Sequence, residues 1–106
     1  MFKIYGSAMC PDCRECKANF DYHQVEYQFI DITRNLKDLH EFLTLRDTLP
    51  VFDHCKEIHD IGLPALVKED GTVFLDWEGW MKDQGLDVVY KENRGHTSCS
   101  LDRKGC

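Results

Sequence analysis

Apolar and polar residues alternate at the start of the chain, where Phe2 and Ile4 are interleaved with Lys3 and Tyr5. A two-residue period predicts a short strand, with Gly6-Ser7-Ala8-Met9 as the loop that follows it. From Pro11 to Tyr22 the pattern becomes helical: Cys16 and Phe20 fall on one face, and Pro11 sits near the first turn, where its missing N–H costs nothing. Val25, Tyr27 and Phe29 alternate with Glu26 and Gln28 and run on into Ile30 and Ile32, which predicts a second strand buried on at least one side. Leu36, Leu39, Phe42 and Leu43 recur at helical spacing, so a second helix is expected from Asn35 to Asp47.

A third helical stretch is expected after Thr48, with Pro50 in its opening turn, Phe52, Cys55, Ile58 and His59 along one stripe, and Gly62 as its end. Past Leu63-Pro64, the runs Ala65-Leu66-Val67 and Thr72-Val73-Phe74-Leu75 flank an Asp70-Gly71 turn and read as a hairpin. Beyond Trp77 the pattern fades. Gly79 and Gly85 interrupt a last helix, and Lys91 to Cys106 is polar and charged apart from Leu101. The chain therefore divides into a domain over residues 1–90 and a polar tail with two cysteines over residues 91–106. The order strand, helix, strand, helix, helix, hairpin implies an α/β fold. Its mixed sheet opens with a parallel βαβ unit, closes antiparallel, and carries helices on both faces.

A length of 106 residues supports one modest core. The formal net charge of −6 argues against nucleic acid or an anionic membrane as partner, since both require clustered Lys and Arg. No stretch approaches the ~20 apolar residues of a membrane-spanning helix. Met1 leads directly into FKIYGSAMC with no secretory pattern, so a monomer in the cytoplasm, where thiols rest reduced, is expected.

The chemistry is concentrated in Cys10-Pro11-Asp12-Cys13, two thiols at the start of the first expected helix. The free N–H groups and positive dipole end of such a terminus favour the thiolate of the first cysteine, and the second lies close enough to attack a mixed disulfide formed there. Asp12 opposes thiolate formation while Arg14 and Lys17 offset it; a depressed Cys10 pKa is expected. Half of a zinc site and two incidental thiols are the alternatives. Cys16 extends the run to CxxCxxC, but without the further Cys-Pro of an iron–sulfur pattern it reads as a small core residue, as does Cys55. His96, Cys99 and Cys106 read first as solvated tail residues. A local Cys99–Cys106 disulfide, a further thiol relay for the CxxC, and a zinc site completed by Cys55 or His59 are the alternatives. His23, His40, His54 and His59 read as surface or stripe residues.

With CPDC at the first strand-to-helix junction and Leu63-Pro64 directly before the hairpin, the chain resembles the thioredoxin fold, and more closely the glutaredoxin family, over residues 2 to 77. The resemblance implies a four-stranded mixed sheet and a dithiol-disulfide oxidoreductase acting on protein or low-molecular-weight disulfides. Cys10 would be the nucleophile and Cys13 the resolving thiol, and Pro11, Leu63 and a cis Pro64 would bind substrate, with an extended chain pairing to the Leu63 backbone. It implies no metal and no cofactor, with glutathione as a co-substrate. The family's glutathione-holding Lys before the motif and Gly-Gly after the hairpin are replaced here by Gly6-Ser7-Ala8-Met9 and Asp76-Trp77-Glu78-Gly79. Acidic residues there repel a carboxylate ligand, so a flavoenzyme reductase is an equal candidate for electron donor. Trp77 and Trp80 could line a groove beside the motif or pack at the sheet edge. The alternative function is a metal-binding thioredoxin-fold module using the CxxC and further cysteines.

Overall fold

A computed structural model of the chain describes residues 1–89. Four strands, β1 (Phe2–Gly6), β2 (Tyr27–Asp31), β3 (Ala65–Val67) and β4 (Val73–Phe74), form one sheet in the order β2-β1-β3-β4. β1 runs parallel to β2 with Ile4 opposite Phe29, and antiparallel to β3 with Ile4 opposite Leu66; β3 and β4 close as the expected hairpin. The helices are α1 (Pro11–Tyr22), α2 (Leu36–Thr48), α3 (Asp53–Glu57) and α4 (Trp77–Asp83), with a 3-10 turn over Pro50–Phe52.

Successive side chains on a strand point to opposite faces, and this period divides the core in two. Ile4 and Leu66 face one layer, packed with Cys16 and Phe20 of α1 and with Trp77 and Met81 of α4. Their neighbours Tyr5 and Ala65 face the other, packed with Phe42 of α2, Phe52 and the motif cysteines. The sheet is thus sandwiched, as the thioredoxin-like architecture requires.

The structure corrects several boundaries. β2 starts at Tyr27 rather than Val25, because Gln24 takes a left-handed φ of 59° and the Val25 N–H is spent on the Phe20 carbonyl at 2.8 Å. As an edge strand it is half-buried. In α2 only Phe42 is buried; Leu36 is 81% exposed, since the helix meets the sheet along a narrow stripe. The third helix ends at Glu57, leaving Ile58 and His59 off the stripe, and His59 itself turns the chain at φ 60°.

A last helix does form through Gly79. Asp76 caps α4 by accepting the Gly79 N–H at 2.9 Å, and a Cβ on Gly79 would lie 2.3 Å from the Asp76 carboxylate. The glycine read as a breaker is what admits the cap. Trp77 is buried, and Trp80 packs edge-on to Phe2 with centroids 4.9 Å apart, so both tryptophans serve the core. Asp76→Ala is expected to lower stability by about 1 kcal/mol, as loss of a helix N-cap does. Urea unfolding checks this as a lower midpoint at unchanged slope.

Candidate functional site

The parallel β1–β2 pairing carries the chain from β1 through a four-residue loop into α1, and hydrogen bonds fix that loop. The Cys10 N–H donates to the Ser7 carbonyl at 3.1 Å, the Met9 N–H to Ser7 Oγ at 3.1 Å and the Ala8 N–H to Asp31 Oδ2 at 3.2 Å. Arg14 Nη1 returns from α1 to the Ala8 carbonyl at 2.7 Å. Burial pulls the Asp31 carboxyl upward, but hydrogen bonds from Thr33 and Ala8 and the charge of Arg34 hold it below its ordinary value.

Cys10 is the N-cap of α1, in extended backbone, and Pro11 occupies the first turn. The Cys13 N–H donates to Cys10 Sγ at 3.4 Å, so a backbone amide of the helical first turn points at this sulfur as a capping hydroxyl would be addressed. Among the described residues Cys13, Cys16 and Cys55 are free thiols.

Cys13 sits behind Cys10 and is fully buried. Its sulfur rests against the end of β1, where a Cβ on Gly6 would come within 2.8 Å of it. Burial pushes the Cys13 thiol up to about 12; Asp12 and Asp31 add to the rise, and a backbone hydrogen bond from Ser7 and the charge of Arg14 oppose it. Lys17 is drawn off, its ammonium lying 4.2 Å from the centroid of the Phe29 ring. Cys16, one turn further, is raised well above its ordinary value by burial and joins the core, as expected of it. Cys55 is buried against Gly62.

Beside Cys10 opens a cavity of about 650 Å³ lined by Met9, Ile32, Leu36, Leu39, Ile61 and Leu63, with Ser7, Thr33, Arg34 and Asn35 at its polar margin. The Leu63-Pro64 bond is cis, and Leu63 shares the cavity wall with Cys10. The expected site residues Cys10, Cys13, Pro11, Leu63 and Pro64 thus converge on one end of the sheet. Arg46 secures the approach to Leu63, donating from Nε to the Ile61 carbonyl at 3.0 Å and from Nη2 to the Asp60 carbonyl at 2.9 Å.

Sequence reading missed Leu36, Ile61 and Arg46. A signal for the first was present: Asn35 caps α2, accepting the Asp38 N–H at 2.8 Å, which places the next residue at the exposed first turn. Among the described residues no group of three or more His, Cys, Asp or Glu side chains is placed to hold a metal ion. His96, Cys99 and Cys106, and the readings attached to them, lie outside the described residues.

A sheet of this order with a CxxC pair opening its first helix defines a thioredoxin-like thiol protein. The glutaredoxin family model matches residues 2–52, and the chain belongs to the glutaredoxin family, whose members are of the thiol-disulfide oxidoreductase type. It is also 34% identical over 73 residues, 69% of this chain and 85% of the other, to an uncharacterized protein of Haemophilus influenzae.

Two outcomes are expected. Gly6→Ala forces a methyl group against the Cys13 sulfur and the Phe29 ring, and should cost about 1–3 kcal/mol as overpacking does, read as a lower urea midpoint. The second concerns pH. The folded Cys13 thiol keeps its proton to about 12, whereas an ordinary thiol loses it near 9.0. The native state therefore binds more protons than the unfolded state above that lower value, and stability must fall as pH rises through 9. The slope should reach up to about 1.4 kcal/mol per pH unit for each such thiol. Urea melts of the reduced protein between pH 8 and 10.5 should show this fall, and Cys13→Ala should make it shallower.

Proposed function

We propose that this protein is a dithiol-disulfide oxidoreductase that reduces protein or low-molecular-weight disulfides, with Cys10 as its nucleophile. The observation that carries this reading is the helix N-terminus aimed at the Sγ of Cys10, a residue that lines the cavity together with Leu63. Cys10 attacks one sulfur of a substrate disulfide, forming a mixed disulfide and expelling the other sulfur as a thiolate. A second thiol of the protein then attacks Cys10 Sγ and releases the remaining half of the substrate. Cys13, one turn into α1, is the motif's own candidate for that step.

Pro11 sets the first turn, and the Leu63-Pro64 segment gives an extended substrate a backbone edge to lie against. The protein works as a monomer in a reducing compartment such as the cytoplasm and needs no bound cofactor. Glutathione or a flavoenzyme reductase restores the dithiol. The acidic Asp76 at the hairpin exit, held in place as the cap of α4, weighs against strong binding of glutathione's carboxylates.

Cys10→Ser is expected to lower disulfide reduction by about a hundredfold or more, the loss typical of removing a covalent nucleophile. A reduction assay with either glutathione and its reductase or the thioredoxin reductase system measures it and separates the donors. Retained turnover in this variant would overturn the enzymatic reading.

A further inference from the structure

Three large apolar side chains on the wall of the cavity beside Cys10 take no part in the core. Met9 is 72% exposed, Leu36 81% and Ile61 45%, and none of them belongs to either core layer. Ile32 and Leu63, on the same wall, are buried in the core and would be apolar for that reason alone. Isolated exposed apolar residues are ordinary on a protein surface. Three gathered on one wall with a cysteine at a helix start are not scatter, and such a patch marks a surface that is covered during function. Leu36 opens α2 directly after the Asn35 cap, a position where an acidic or polar side chain suits the helix dipole better.

We propose that Met9, Leu36 and Ile61 form a specificity subsite for an aliphatic side chain within two positions of the disulfide cysteine of a partner protein. The preferred substrates are then protein disulfides set in apolar sequence. This rests on the reading of Cys10 as nucleophile given above.

Position and charge decide the occupant. A substrate sulfur attacked by Cys10 must touch Cys10 Sγ, and Cys10 is itself on the cavity wall, so the cavity receives whatever adjoins that sulfur in the substrate. Residues of an extended chain advance about 3.3 Å each, so only the nearest one or two on either side of the cysteine come within reach. The volume of about 650 Å³ is that of a ligand pocket and admits a side chain with its flanking backbone. Among the described residues that line it, Arg34 is the one charged side chain, and its charge also acts on Asp31. An ammonium group entering there would lose water against aliphatic walls and meet a like charge. An aliphatic side chain meets neither obstacle and removes its own apolar surface from water together with that of Met9, Leu36 and Ile61.

The exchange step is the one already described. Cys10 thiolate attacks the sulfur of the half seated in the cavity, and a bond forms between the two. The substrate S–S bond breaks, and its other half leaves as a thiolate that takes a proton from water.

The test uses the fully reduced full chain in excess over symmetric disulfides of blocked peptides that differ only in the residue beside the cysteine, which is leucine, serine or lysine. Loss of the peptide disulfide is followed in a single turnover with no external donor. The leucine peptide is expected to react about tenfold faster than the serine peptide or more, the discrimination of an apolar pocket, and the lysine peptide more slowly than either. The Leu36→Ser/Ile61→Ser double variant should bring the leucine rate to within about threefold of the serine rate while the serine rate stays within about twofold of its original value. Leu36→Ser alone, at a position 81% exposed, gives the same comparison in smaller degree where the double variant does not fold. Equal rates for the leucine and serine peptides in the unsubstituted protein, or a preference that survives both substitutions, would overturn the subsite. So would sedimentation of the unsubstituted protein as a dimer that the double substitution dissociates, since a second copy would then be what covers the wall. Those results leave Cys10 as nucleophile intact, because the serine peptide is still consumed. A protein that consumes none of the peptides removes the parent reading and the subsite with it.

Discussion

The hydrogen bond from the Cys13 amide to the Cys10 sulfur is the constraint around which this molecule is arranged. It exists because β1 stops at Gly6, the loop is held by Ser7 and Asp31, and α1 begins at Pro11 with no amide of its own to compete. A helix end carries its unsatisfied N–H groups in a fixed cone, so whatever side chain caps it is polarised by the whole first turn. Here the capping atom is a sulfur, that of Cys10. The two-faced core exists to hold that cap still, with Cys13 and Cys16 facing into successive layers of it.

The Cys10 sulfur also borders a cavity. Its wall is contributed by residues far apart in sequence, namely Met9, Ile32, Leu36, Ile61 and Leu63, brought together by the loop after β2 and the segment before β3. Arg46 belongs to this arrangement through its two backbone contacts, which hold the approach to Leu63 without contributing to the cavity itself. The cavity is mostly apolar, with Ser7, Thr33, Arg34 and Asn35 at its margin.

Much of this was legible in the residues. The period of two in β1 and of 3.6 in α1, the Asp-Gly turn, and the Cys-Pro-Asp-Cys run each act locally, so pattern reading finds them. Leu36 carried a signal in its Asn35 cap but is marked as a cavity residue only once the loop before α1 is placed, and Ile61 was opaque because it lies outside every helix and strand. His59 was misassigned for a similar reason: nothing in the sequence marks it as the residue that turns left-handed. Gly79 shows the converse error, in which a residue weak in helix propensity is selected by a contact with Asp76 that only three-dimensional proximity reveals.

The fit of Gly6 beneath the Cys13 sulfur has one more consequence. Converting a thiol to a sulfinic or sulfonic acid adds two or three oxygen atoms around it. Cys13 is fully buried with its sulfur against the end of β1, so those oxygens have nowhere to go while the fold is intact. Irreversible oxidation of Cys13 by peroxide therefore requires the fold to open first.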